Sequence, residues 1–149
     1  MAKPADPLKL DSMLCFAVYA ASHAFTRFYK PRLDALGLTY PQYLVFLVLW
    51  ERDGLTVKAL GEKLFLDSGT ITPLIKRLEA RELVRRQRDD EDERQVRIFL
   101  TGAGRALREQ ALAIPLEVRG AMGGDAEAGA AMLKGMQQLR ERLDSALES

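Results

Sequence analysis

Cysteine is almost absent from this chain: Cys15 is the only one in 149 residues. No intrachain disulfide can form, and a zinc site built from several cysteines is excluded. Histidine is as scarce, with His23 alone. The two stand eight residues apart on one predicted helix, roughly 12 Å along its axis. They cannot meet within one chain as a nucleophile and its base, which argues against a cysteine hydrolase. No uncharged run reaches the ~18 residues of a membrane span. The opening MAKPADPLKLD lacks the charged-then-apolar layout of a signal peptide. The expectation is a soluble, cytoplasmic protein with no membrane partner. A large excess of one charge is missing too: 22 basic residues face 21 acidic ones, for a net charge of +1. Bulk charge therefore cannot hold nucleic acid, and any basic surface has to be local. No residue cluster suggests a metal, a phosphate loop or a nucleotide, so no cofactor is expected.

What is present is apolar helix. With 48% hydrophobic residues the chain can bury a core without disulfides or metal. Residues 1–10 carry Pro4 and Pro7 and read as an arm. Asp11 is a predicted N-cap, followed by the apolar run Met13 to Ala21. That helix is predicted to stop at Tyr29 or Lys30, because Pro31 disfavours helical geometry in the residue before it. A helix apolar all round requires cover on every side, and in a small protein a second subunit is the natural cover. Cys15 lies near its start, with Tyr19 one turn further along the same face. It can be read as a small buried hydrophobe. It can also be read as a reactive thiol, since the free N–H groups at a helix start favour an anion. Tyr19, Tyr29, Tyr40 and Tyr43 could supply hydroxyl donors. His23 reads as a partly exposed helix residue.

Residues 39–101 carry the most specific pattern. Thr39 is a predicted cap for a core helix through Tyr43–Trp50, with Pro41 tolerated in the first turn, and Asp53-Gly54 ends it. Thr56 caps a short helix with Leu60 and Leu64 inward, and the chain breaks at Leu66-Asp67. A second helix begins near Asp67 or Ser68, with Ile71, Leu74, Ile75 and Leu78 in one buried stripe. Its other face shows Ser68, Gly69, Thr70 and Thr72 early and Lys76 and Arg77 late. Small hydroxyls allow close approach to base edges, and the cations neutralise phosphate. Pro73 is unusual there, although its cost is smaller one turn into a helix. Two strand-like runs follow, 83–88 and 95–100, the second alternating through Val96, Ile98 and Leu100. They carry Arg85, Arg86, Arg88, Arg94 and Arg97, suited to a narrow minor groove. The five acids of the turn at 89–93 read partly as ion-pair partners that orient these arginines and partly as solvated turn. Helix, break, helix and hairpin in this order predict a winged helix-turn-helix, a shape that fits double-stranded DNA.

Beyond it, Thr101 caps a helix through Leu107 and Leu112, with a kink at Pro115 and a break at Gly120, Gly123 and Gly124. From Asp125 a last helix spaces Met132, Met136, Leu139, Leu143 and Leu147 almost as a heptad seam, a dimer interface shared with the first helix. The fold class is thus mainly α with a small β-wing. One domain, 1–149, is expected, with its winged helix-turn-helix at 39–101 and dimerisation helices at 8–36 and 102–149.

The layout, above all DSGTITPLIKRLEARELVRRQRDDEDERQVRIFLT, resembles the MarR family of dimeric winged-helix repressors over nearly the whole chain. LCFAVYAASHAF, FYKPRLDALGLTYPQYLVFLVLWE and LTVKALGEKLFLDSGT are similar to its organic hydroperoxide regulators. The resemblance implies that Cys15 is a peroxide-sensing thiol, that Tyr29 and Tyr40 hydrogen-bond to it, and that Tyr19 lines its pocket. With no second cysteine, the chain resembles the one-cysteine type. Its expected partners are a second copy of itself, operator DNA, an organic hydroperoxide as signal and a small thiol for a mixed disulfide. Two alternatives stay open: a regulator switched by a non-covalent small aromatic ligand, and a thiol peroxidase.

Overall fold

A computed structural model of the chain describes residues 3 and 6–148; Pro4 of the expected arm lies outside them. The first helix, α1 (Leu14–Asp34), does not start from Asp11. Asp11 belongs to a short 3-10 turn, Leu10–Ser12, and the extended Met13 stands at the helix N-cap. Nor does α1 stop before Pro31, which lies inside it. Pro31 removes one N–H donor at a cost of up to ~3 kcal/mol. Just beyond it Leu33, Leu36 and Leu38 enter the core, each burial being worth about 1.5–3 kcal/mol, and that outweighs the local penalty. Gly37, at φ +69°, turns the chain towards the second helix. Within the single chain α1 is largely uncovered. Only Leu33 is buried, while Leu14, Phe16, Tyr19 and Phe25 face solvent.

Helix α2 (Tyr40–Glu51) opens on a capping box. Gln42 N–H donates to Thr39 Oγ1 at 3.3 Å, and Thr39 N–H donates to Gln42 Oε1 at 3.0 Å. Tyr43, Val45, Phe46 and Leu49 of α2 fill the core. There follow β1 (Leu55–Thr56), α3 (Val57–Leu64), α4 (Ser68–Ala80), β2 (Val84–Arg88) and β3 (Val96–Leu100). The strands form an antiparallel sheet in the order β1-β3-β2. Leu55 faces Ile98, and Val84 faces Leu100. At two residues, β1 is too short to show alternation and was not legible in the sequence. Helix α5 (Gly102–Ala111) packs closely on this sheet: a Cβ on Gly104 would lie 2.2 Å from the Leu83 carbonyl oxygen. Trp50 Nε1 donates to the Gly104 carbonyl at 3.0 Å, and Thr101 caps α5 through Gly104 N–H at 3.1 Å.

The chain divides into two compact units, one running to Ala111 and the other beginning at Leu112. Pro115 does not kink a continuing helix. It sits in the first turn of a new one, α6 (Ile114–Ala121), a position where its missing N–H has no intrahelical partner to lose. Gly123 and Gly124, both at positive φ, then turn the chain. Asp125 accepts from the N–H groups of Glu127 and Ala128 at the start of α7 (Ala126–Glu148). Its Met132, Met136, Leu143 and Leu147 are exposed.

Candidate nucleic-acid interface and thiol site

Local capping chemistry sets the angle between α3 and α4. Thr56 Oγ1 accepts from Ala59 N–H at 3.0 Å, starting α3. Phe65 ends it in the left-handed region, at φ 58° and ψ 38°. Leu66 N–H then donates back to the Gly61 carbonyl at 2.9 Å. Asp67 caps α4, its Oδ1 accepting from Thr70 N–H at 2.8 Å and from Thr70 Oγ1 at 3.0 Å. Ile71, Leu74, Ile75 and Leu78 are buried, as their spacing predicts. Ser68, Gly69, Thr70, Pro73, Lys76 and Arg77 are exposed on α4, and Thr72 is half-buried. Pro73 has no N–H to give the Gly69 carbonyl one turn back. That missing bond falls on the exposed side of the helix, where water or a ligand can satisfy the oxygen.

The wing's arginines are mostly held by acids. Arg86 Nε pairs with Glu79 Oε1 of α4 at 3.0 Å, and Arg86 N–H donates to Glu79 Oε2 at 3.1 Å. Arg97 Nε pairs with Asp89 at 3.0 Å and its Nη1 donates to the Gly54 carbonyl at 2.8 Å. Arg94, at the tip, pairs with Asp92 at 3.2 Å. The Arg85 guanidinium lies 4.6 Å from the centre of the Phe99 ring. Asp89 and Asp92 thus orient arginines, and Asp90, Glu91 and Glu93 are exposed turn. On α4 and the wing, Lys76, Arg77 and Arg88 have no ion-pair partner among the described residues. An open cleft of about 700 Å³ runs between α3, the start of α4 and the wing tip, lined by Lys58, Phe65, Ser68, Thr72 and Arg94. Sequence reasoning missed Glu79. Its partner lies across a turn and on another element, a relation that no local periodicity carries.

Cys15 is the second residue of α1, with a free, exposed thiol. In the single chain it is not a buried hydrophobe. Tyr19, 61% exposed, lies one turn on, its ring centre 4.3 Å from that of His23. Tyr29 is elsewhere. Its ring centre lies 4.9 Å from that of Tyr40 and 5.8 Å from that of Tyr43. Burial and the neighbouring Tyr40 and Tyr43 push the Tyr29 phenol up to about 12. Burial also raises Tyr40 and Tyr43. All three remain protonated hydrogen-bond donors at neutral pH. Cys15 and Tyr29 are fourteen residues apart on α1, about 21 Å of helical rise. The fold therefore gathers Tyr29, Tyr40 and Tyr43, and within one chain it keeps Cys15 and Tyr19 away from them.

A helix-turn-helix followed by a β-hairpin wing defines a winged-helix DNA-binding architecture. The family model for the transcriptional regulator SarA/Rot matches residues 27–110. The HTH-type transcriptional regulator TtmR of Methylorubrum extorquens is 56% identical over 93% of this chain and 71% of its own length. The organic hydroperoxide resistance transcriptional regulator of Bacillus subtilis is 53% identical over 77% of this chain and 78% of its own. Among solved structures, reduced AbfR bound to DNA superposes with a TM-score of 0.80 at 34% identity, covering 90% of this chain and 94% of that one. Overoxidised AbfR bound to DNA, 36% identical and covering 89% and 93%, gives 0.73. AbfR is a protein of Staphylococcus epidermidis. The chain belongs to the MarR-type winged helix-turn-helix transcriptional regulators. It is a transcriptional regulator.

Proposed function

We propose that this chain is a peroxide-responsive repressor that acts as a homodimer on pseudo-palindromic operator DNA. Two α4 helices enter successive major grooves about 34 Å apart. There Ser68, Gly69, Thr70, Thr72 and Pro73 approach the bases, and Lys76 and Arg77 meet phosphate. Arg88 and Arg94 of each wing reach the flanking minor groove. Arg86, tied to Glu79, braces the wing against α4 and contacts DNA only from that position. Dimerisation is supported by the apolar faces left open on α1 and α7, including Phe16, Phe25, Met136 and Leu143.

The single observation behind the redox reading is an exposed Cys15 about 21 Å of helix from the tyrosine cluster it is expected to use. A second copy running antiparallel brings the Tyr29 and Tyr40 hydroxyls of one chain to the thiol of the other, with Tyr19 beside it. An organic hydroperoxide then oxidises the thiolate. The sulfur attacks the terminal peroxide oxygen, the O–O bond breaks, and the products after protonation are a sulfenic acid and an alcohol. A small thiol attacks the sulfenic sulfur and expels water, giving a mixed disulfide. Overoxidised AbfR is bound to DNA, which favours the bulkier mixed disulfide over a sulfinic or sulfonic acid as the releasing product. A loss of about 2.7 kcal/mol in operator affinity is a hundredfold release.

Operator binding followed by fluorescence anisotropy, with and without an organic hydroperoxide and a small thiol, tests this. The wild-type protein is released, whereas Cys15→Ser binds equally well and stays bound. Release of the Cys15→Ser variant points to a ligand switch, and steady peroxide consumption with a reductant to a peroxidase.

A further inference from the structure

The hydrogen bond between Thr70 and Asp67 fixes what Thr70 can say to DNA. A carboxylate oxygen only accepts. The 3.0 Å contact from Thr70 Oγ1 to Asp67 Oδ1 therefore has one direction, with the hydroxyl hydrogen given to Asp67. The same oxygen takes Thr70 backbone N–H at 2.8 Å, so the Asp67 carboxylate is fixed beside the hydroxyl it accepts from. The fit beside it is close: a Cβ on Gly69 would lie 3.3 Å from Asp67 Oδ1. Towards solvent, exposed Thr70 keeps a methyl group and oxygen lone pairs, but no hydrogen. Among the described residues, the hydroxyls of Ser68 and Thr72 are held by no such acceptor and keep their hydrogens for other partners.

We propose that Thr70 is a specificity-determining residue that accepts a hydrogen bond from an amino-bearing base, adenine N6 or cytosine N4, and makes no phosphate contact. In the major groove these amino groups are the donors, while guanine O6 and N7, adenine N7 and thymine O4 are acceptors. Phosphate oxygens are acceptors as well. An oxygen whose only hydrogen is committed to Asp67 repels all of these and suits the amino groups alone. The bond to Asp67 Oδ1 keeps the hydroxyl hydrogen turned away from other partners. This rests on the docking of α4 in the major groove proposed above.

The test is competition binding with operator duplexes carrying each base in turn at every half-site position. It is run on the reduced full chain, with the fold of each variant checked by circular dichroism and thermal melting. Wild-type protein prefers adenine or cytosine on one strand at one position per half-site. Thr70→Val, which keeps the shape and removes the oxygen, loses roughly threefold to tenfold of discrimination there, the worth of one neutral hydrogen bond. Its salt dependence stays unchanged. Asp67→Gly keeps a tolerated N-cap but frees the Thr70 hydroxyl, and it loses the same preference with Thr70 intact. Asp67→Asn retains an acceptor oxygen at that position and retains the preference. A Thr70→Val variant that weakens evenly on all sequences with a flatter salt slope marks a phosphate contact and overturns the assignment. One that keeps the preference marks a methyl contact and overturns it equally. Wild-type binding with no sequence preference at any position overturns the docking itself, and the assignment with it.

Discussion

Replacing Gly61 by alanine is the sharpest test of how the α3–α4 turn is built. A Cβ there would stand 2.5 Å from the Leu66 carbonyl oxygen, nearly an ångström inside ordinary contact. Both atoms belong to backbone-anchored positions, so no side chain can swing away. The carbonyl of Gly61 also accepts from Leu66 N–H at 2.9 Å, which pins the two segments at the same place. Opening the turn costs about 3 kcal/mol, the upper part of the range for overpacking. Alanine returns about 1 kcal/mol through its better helix propensity. The expected net loss is about 2 kcal/mol, read as a drop of roughly 1 M in the urea midpoint for a slope near 2 kcal/mol/M. Gly102→Ala is the control, because nothing lies within 4 Å of a Cβ there, and it is neutral or slightly stabilising. The displaced turn also carries Asp67 and the start of α4, so operator affinity of the folded variant falls at least tenfold. Gly61→Ala as stable as wild type refutes the packing argument. A destabilised variant with unchanged operator affinity refutes the link from turn to reading.

Two further outcomes follow from the same geometry. Lys76→Ala removes one phosphate contact from each chain, so the plot of log affinity against log salt flattens by about 2 for a dimer; an unchanged slope takes Lys76 off the phosphates. The phenol of Tyr29, pushed up to about 12 in the fold from its ordinary 10.0, makes the folded chain hold its proton where the unfolded chain has lost it. Its contribution is complete below pH 10 and is lost as the pH rises towards 12. The melting temperature of wild type therefore falls faster between pH 10 and 12 than that of Tyr29→Phe, and parallel profiles refute the burial of that hydroxyl.

The parts of this fold that sequence revealed are those settled within a few residues. Thr39, Thr56 and Thr101 each cap the helix that follows them, because a cap needs only an oxygen and a free N–H two or three residues on. The stripe Ile71, Leu74, Ile75 and Leu78 is buried because helical periodicity brings it to one face whatever it packs against. The limits of α1 were misjudged at both ends for opposite reasons. Before the helix, a 3-10 turn took the place given to Asp11. At its end, the burial of Leu33 overrode the local penalty of Pro31. Distance relations were the least legible. Nothing near Glu79 announces Arg86, and nothing near Tyr29 announces that Tyr40 and Tyr43 close around it. The gap between Cys15 and that cluster was computable from helical rise once both were placed on a single helix. The rise that separates Cys15 from His23 along α1 separates it further still from Tyr29.

The paired arginines explain how a chain of net charge +1 can be a switchable DNA binder. Arg86, Arg94 and Arg97 already answer to Glu79, Asp92 and Asp89, which leaves Lys76, Arg77, Arg85 and Arg88 without an ion-pair partner on α4 and the wing among the described residues, Arg85 lying over the Phe99 ring. In the proposed docking Lys76 and Arg77 meet phosphate, which gives one head a salt slope of about −1.8 and the two heads of the proposed dimer about −3.6. A single head is then weak at physiological salt, and useful affinity requires both to sit on one duplex at once. In that regime the second head contributes only at the spacing the groove dictates, so a change at the subunit interface removes it without touching a single DNA contact. Had the wing's acids been absent, one head would have held the operator by charge alone. The proposed oxidation at Cys15 would then have had nothing to release. On this argument Asp89, Asp92 and Glu79 matter to regulation as well as to wing geometry, since they keep the affinity of each head low enough for spacing to decide.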